Sequence, residues 1–349
     1  MQLVFSALTR CAHALVAGGA LALIAIPAQG RSEAQVAAQG ATRGVGVDGR
    51  TTPGGVTCPP QAAAPTPAQL QHAQRNAQDR GFLWRLSKGG RTSYLYGTLH
   101  VGKVAWVYPG PQLRKALAAS DTVALELDPT DPKIQQAVAR AATGTSRALP
   151  AATRQRLAAQ RDAACLPASA FDRLHPVMLL MTLSMVAAKR EGLDAAFGSE
   201  PLLAGHAKAA GQSVVSLETP QQQMQALMPA NKADDEAALV NAGLDQLEAD
   251  SMRPVLRRMI QAWQSGNVDD FENYGTWCDC MATAVERDLY RRINDERNPG
   301  MAASIDALHQ RGLKVFAAVG ALHMTGPAGL PKLMARRGFQ VERVPLAAR

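Results

Sequence analysis

The sequence predicts an α/β fold, in the α+β sense of a mixed sheet with flanking helices and a large helical insertion. Three observations carry that reading. A hairpin pattern over 82–100 is followed by a buried strand over 122–127. A strand, a helix and a second strand follow one another over 313–344. Between these ends lies a long stretch with helical spacing, broken by prolines.

Taken in order, the chain opens with Arg10 ahead of an apolar run over 14–28 that ends in small residues, the pattern of a secretory signal peptide over 1–30. That run is short of the roughly 20 residues that cross a bilayer, so no stable transmembrane span is expected after cleavage. Residues 31–79 are rich in Ala, Gln, Gly, Thr and Pro, show neither period, and are expected to form a disordered tail. A folded domain is then expected over 80–349.

Within that domain, apolar residues at 82–86 and 94–99 flank Lys88-Gly89-Gly90-Arg91, a hairpin signal. Pro109 and Pro111 open a short helix, and the run Thr122-Val123-Ala124-Leu125-Glu126-Leu127 reads as a buried strand. Pro150, Pro167 and Pro176 divide residues 132–190 into three or four helices. A further strand is expected over 211–218, with Pro220 in the first turn of the next helix. Helices should continue to about 311, before a strand over 313–319, a helix over 327–337 and a last strand over 339–344.

Composition narrows the function. The 349 residues are 47% hydrophobic and 19% charged, ordinary for a chain with a sizeable core. The formal charge of +8 comes from scattered Lys and Arg, so no nucleic-acid partner is expected. Export makes Cys58, Cys165, Cys278 and Cys280 disulfide candidates. A one-residue spacing implies a strained ring, so Cys278 and Cys280 are each expected to pair with Cys58 or Cys165. A C-x-C pair without a nearby histidine also argues against a zinc knuckle.

Chemistry concentrates at predicted strand ends. Gly97-Thr98-Leu99-His100 and Gly320-Ala321-Leu322-His323 are two Gly-x-x-His motifs, each closing a strand. Ligands bind at such ends in open α/β sheets, and a glycine three residues earlier allows an unusual backbone path and removes bulk near the imidazole. His175, His206 and His309 lack that context and read as structural or exposed. Glu126 lies in an apolar strand, where an unpaired carboxylate would cost several kcal/mol, and Glu218 ends the comparable strand. Two imidazoles and two carboxylates form a nitrogen and oxygen set suited to a divalent ion. The competing reading pairs Glu126 with an arginine and makes Glu218 the cap of the helix at Pro220.

In order and spacing, Phe82-Leu83-Trp84, the segment ending at His100, Ala124-Leu125-Glu126-Leu127-Asp128, Gly192-Leu193-Asp194, Ser216-Leu217-Glu218-Thr219 with Gln223, Glu296-Arg297-Asn298 and the segment from Val319 to Gly326 resemble the TraB/PrgY/GumN family. The likeness spans 82–344 and is nearest to its bacterial GumN-like branch. It implies an EreA/ChaN-like or Tiki-like fold and, as in the Tiki proteins, a metal-dependent protease. Carried onto this chain, it implies that His100, Glu126 and His323 hold Mn, Co or Zn, while Glu126, Glu218 and Arg297 serve catalysis. A carboxylate off the metal would be the base, and Arg297 would stabilise an oxyanion or hold its helix by a salt bridge. Asn298, Gly97 and Gly320 are expected to line the substrate, and Asp194 reads as a helix cap. The expected activity is an exported hydrolase acting on a peptide or protein. The alternative is a non-enzymatic protein of the same family that binds a peptide, a pheromone or a partner.

Overall fold

A computed structural model of the protein describes residues 57–60, 63–144, 149–228 and 233–346; the expected signal peptide lies outside them. Six strands form one mixed sheet: β1 (Phe82–Lys88), β2 (Arg91–Thr98), β3 (Thr122–Leu125), β4 (Ser213–Ser216), β5 (Val315–Gly320) and β6 (Gln340–Val344), in the order β4-β3-β5-β2-β1-β6. The β1–β2 hairpin turns on Gly89 and Gly90, both at positive φ (57° and 72°), as a tight two-residue connection requires. From β2 to β4 the neighbouring strands run parallel, and their last residues are in register: Thr98 opposite Gly320, Leu125 opposite Ala318 and Ser216. Parallel strands in register end on one edge, so the segments leaving four strands emerge side by side.

Both faces of the central strands are covered, which is why β5 is apolar throughout, β3 is apolar after Thr122, and both are fully buried. Phe316, Val319, Leu125 and Leu95 anchor the core around the sheet, each contributing about 1.5–3 kcal/mol by burial. A second core forms among Leu157, Met178, Leu183, Leu239, Leu244 and Ile293, within the helices of the middle region. The expected helical insertion is therefore a packed layer with its own apolar centre. Its first part holds four helices, Pro132–Ala142, Ala151–Ala163, Ala168–Phe171 and Pro176–Ala187, and prolines open or precede each of them.

Three expectations are corrected. Part of the tail is ordered: Pro67–Arg75 is a helix, with Thr66 and Gln69 exchanging both hydrogen bonds of a capping box and Pro67 in the first turn. The Thr-x-x-Gln signal lies in a compositionally biased stretch, which hid it. Next, Cys58 pairs with Cys165 and Cys278 with Cys280, so the cysteines of the C-x-C pair do not pair elsewhere. Asp279 between them adopts a left-handed conformation (φ 55°), which folds the chain back so that the flanking Cα atoms stand 5.1 Å apart. Finally, β3 ends at Leu125, so Glu126 is the first residue beyond the strand and not inside it. Among the described residues, no helix is long and apolar enough to cross a membrane.

Candidate functional site

The shared edge of the parallel strands gathers the predicted side chains. Past β3, the parallel pairing continues: Leu217 N–H donates to Leu125 O at 2.8 Å and Glu218 N–H to Glu126 O at 3.1 Å. Glu126 and Glu218 therefore leave the sheet as neighbours. Both are buried, at 3% and 9% exposure, where unpaired carboxylates would be costly. Arg297 supplies the countercharge. Its Nη2 donates at 2.5 Å to Oε2 of each carboxylate, and its Nε lies 3.1 Å from Glu218 Oε1. Gln223 Nε2 adds bonds to Glu126 Oε2 (3.2 Å) and Glu218 Oε2 (3.4 Å), and Gly320 N–H donates to Glu126 Oε1 at 2.8 Å.

Arg297 reaches this point because a π-helical segment, Arg291–Asp295, runs up to it, and the Ile293 carbonyl of that segment accepts from Nη1 at 2.9 Å. The next residue, Asn298, begins the helix Asn298–Gln310 and anchors a histidine. Asn298 Nδ2 donates to Ala328 O at 2.9 Å, which turns its carbonyl toward His323 Nδ1, 2.6 Å away. His323 Nδ1 must then be the donor, which leaves Nε2 as an acceptor of the hydrogen bond from Arg297 Nη1. That Nε2 stands 3.8 Å from Glu126 Oε1 and 3.4 Å from Arg297 Nη1.

His100 is held in a similar way from β2. Its Nδ1 lies 2.9 Å from Glu200 Oε1, which also accepts from Thr98 Oγ1 at 2.5 Å. Its Nε2 is buried with no protein partner. His100, Glu126, Arg297 and His323 are close enough that their charges act on one another.

The electrostatics separate the two imidazoles. Burial pushes the His323 pKa down to about 3, and the adjacent Arg297 guanidinium adds to that shift. Burial also disfavours the imidazolium of His100, but Glu200 outweighs it and raises the pKa above the ordinary value. Burial raises Glu126, yet Arg297 and the two histidines bring its carboxyl down to about 2. At neutral pH the site therefore holds an ionised Glu126, a charged Arg297 and a neutral His323.

Two imidazoles and Glu126 are donor types that a divalent ion takes, but Arg297 already bonds both carboxylates and His323 Nε2. Each imidazole is fixed by a hydrogen bond at Nδ1, as ligating histidines require, but only His100 Nε2 lacks a protein partner; His323 Nε2 accepts from Arg297 Nη1. Glu126 Oε1 accepts from Gly320 N–H at 2.8 Å. Among the described residues, no three His, Cys, Asp or Glu side chains stand at the mutual spacing of metal ligands. Arg297 lies against the carboxylates that a cation would share.

Other predicted residues serve the frame. Gly97 is not in the left-handed region; a Cβ there would come within 3.2 Å of Ala321 Cα and Met324 Cγ, so its lack of bulk seats the His323 turn against β2. Gly320 has φ −48°, so neither motif glycine takes an unusual backbone path. Asp194 accepts from Ala196 N–H as the cap of a short 3₁₀ turn, as expected. Glu218 caps nothing: Thr219 and Gln222 form the capping box of the helix Pro220–Leu227. His309 is structural, bonded to Ser93 Oγ and Lys88 O, His206 binds Val107 O, and His175 caps a helix. Both cystines lie outside this constellation of side chains.

Two participants escaped the sequence reading. Glu200 has only a local signal, a first-turn glutamate in the helix Ser199–Ala209, and nothing in that pattern points to His100, a hundred residues earlier. Gln223 appeared as part of a family pattern but carried no role.

No curated protein and no solved structure matched the chain. A model of the TraB/PrgY/gumN family matches residues 82–343, from the first strand to the last. Both Gly-x-x-His motifs and every residue of the buried constellation fall inside that match, and the chain belongs to the TraB/PrgY/gumN family.

Proposed function

We propose that the chain is an exported metal-dependent hydrolase that cleaves peptide bonds. One observation carries this reading: two imidazoles with anchored Nδ1 atoms and an ionised, buried Glu126 stand together where parallel strands end. His100, Glu126 and His323 would hold Mn, Co or Zn. A divalent ion in such a site supplies Lewis-acid polarisation of the scissile carbonyl and activation of water.

The chain's own groups do the rest. His323 stays neutral at working pH, so a ligand at its Nε2 displaces the Arg297 Nη1 hydrogen bond and no proton. Arg297 keeps its charge, and its donors hold Glu126, Glu218 and His323 in place. Glu218 receives both Nε and Nη2 of Arg297, which suits it to orient the guanidinium rather than to take a proton. Asn298 fixes the His323 ring from the side away from Nε2. Cystines at Cys58–Cys165 and Cys278–Cys280 favour an oxidising compartment, in keeping with export.

A second reading rests on Arg297. Its pairing with both carboxylates also suits a permanent structural ion pair, in a protein that binds a peptide or partner without cleaving it. Metal content of protein purified without chelator, followed by peptide cleavage with and without Mn or Co, separates the two. The hydrolase reading expects bound metal and cleavage that disappears in His100→Ala and His323→Ala. Folded variants that keep full metal content and normal cleavage would sink it.

A further inference from the structure

The two edges of the sheet are finished differently. β6 carries Glu342 and Arg343, and Glu342 pairs with Arg85 of β1. Charged side chains of that kind blunt an exposed edge against pairing with another chain. β4, at the opposite edge, reads Ser213-Val214-Val215-Ser216, with no charge and no proline. Its residues are half-buried or exposed, whereas those of β3 and β5, the next strands inward, are buried.

The register shows which main-chain groups of β4 are uncommitted. Leu217 N–H donates to Leu125 O, and Ser213 O accepts from Thr122 Oγ1, so residues 213, 215 and 217 turn their polar groups toward β3. Alternation along the strand then points the N–H and C=O of Val214 and Ser216 outward. Among the described residues, β3 is the only strand paired with β4, and no other backbone group bonds to Val214 or Ser216. Donors and acceptors in a row on an uncharged edge are the complement of an extended peptide, whose own main chain supplies the same alternation.

The edge also leads into the site. Two residues after Ser216, Glu218 leaves the sheet beside Glu126 and receives Nε and Nη2 of Arg297. A chain paired along the outside of β4 therefore has one end beside that ion pair.

We propose that the free edge of β4 docks an extended peptide, which adds a seventh strand through the main-chain groups of Val214 and Ser216 and runs on toward Glu218. This rests on the peptide recognition that both readings above share, and it requires neither metal nor cleavage. Contacts of this kind select conformation before sequence. An extended, unfolded segment fits, whereas a helix does not, because its N–H and C=O groups are spent internally.

The test uses the full chain and, as probe, the octapeptide (Thr-Val)₄-amide with fluorescein at its N-terminus. A second probe is the same peptide N-methylated throughout, which deletes the main-chain donors and keeps the side chains. Fluorescence anisotropy reads affinity, and amide hydrogen exchange reads location. The first peptide should slow exchange at Val214 and Ser216 and leave β6 unchanged, and the methylated one should bind at least roughly tenfold more weakly, through loss of two or more hydrogen bonds. Val214→Pro removes an outward donor and spares the bonds to β3, so it should weaken binding roughly 2–10-fold. If that variant does not fold, the methylated peptide makes the corresponding deletion from the other side. Protection confined to β6, equal affinity for both peptides, or no binding of the unmethylated peptide overturns the proposal. So does a dimer, seen by sedimentation equilibrium without peptide, in which the β4 amides are already protected, because the edge then belongs to a second copy of the chain. Cleavage is scored separately. Peptide held at β4 but left uncut in the presence of Mn or Co supports the docking edge and counts against the hydrolase reading, while cleavage without protection at β4 overturns the docking edge and leaves the hydrolase reading standing.

Discussion

Arg297 is the residue on which the charge balance of the site turns. It faces two buried carboxylates, and removing one partner of such a network leaves charge without compensation in a poorly solvated place. Arg297→Met should therefore destabilise the protein by about 3–5 kcal/mol, read from the urea midpoint at pH 7. Added Mn²⁺ should recover part of that loss in the variant, because a cation then finds both carboxylates free. A change below about 1 kcal/mol would show that Glu126 and Glu218 are solvated. Protonation follows from the same environment. His323 has its folded pKa lowered to about 3 from 6.5, so the unfolded chain binds more protons between those values and stability falls as pH drops below 6.5. Glu126, lowered to about 2 from 4.5, adds a second loss from pH 4.5 downward. His100 is raised, so its contribution is complete below 6.5 and is lost as pH climbs through its folded value. Chelator-treated protein should thus be most stable near pH 6.5, and denaturant melts across pH 3–8 should show His323→Asn flattening the limb between 6.5 and 4.5.

At the scale of elements, the site depends on how closely segments approach. Gly198→Ala leaves every polar group of the site in place but forces a methyl against the His100 carbonyl, 2.5 Å from where its Cβ must lie. The backbone clamp between 99–102 and 194–199, in which Gly102 and Asp194 exchange hydrogen bonds, should open, and Mn²⁺ affinity should drop at least tenfold in a protein whose far-ultraviolet dichroism is unchanged. Affinity equal to wild type would show that the clamp does not govern the position of His100. Strand ends were legible in the sequence because the apolar residues Val123–Leu125 of β3 and Val315–Val319 of β5 are closed by a glutamate and by Gly-x-x-His. The helix Pro67–Arg75 was not, although its capping box is written in the residues, because it lies in a stretch whose composition suggested disorder.

For the molecule as a whole, one covalent link joins the segment before β1 to the helical layer. Cys58 and Cys165 are 107 residues apart, and closing so long a loop removes much of the freedom of the unfolded chain. Cys58→Ser should cost roughly 2–5 kcal/mol and lower Tm, while leaving peptide cleavage per folded molecule unchanged, since neither cysteine meets the site. The bond between Cys278 and Cys280 spans a single residue and has little loop entropy to remove, so its loss should act locally, through the core packing around Tyr274 and Phe271.

The sequence by itself determined the fold class, the ends of the parallel strands, and the place of four side chains at those ends: His100, Glu126, Glu218 and His323. Periodicity and local motifs are properties of neighbouring residues, and hydrophobic burial makes them visible in order along the chain. Tertiary structure alone decided which partner each side chain has: Arg297 between the two carboxylates, Asn298 behind His323, Glu200 behind His100, and which cysteines meet. Apart from the Cys278–Cys280 bond, those pairings join residues from 25 to 171 positions apart. They are set by strand register and by glycine-permitted close approach, neither of which leaves a periodic trace in the sequence.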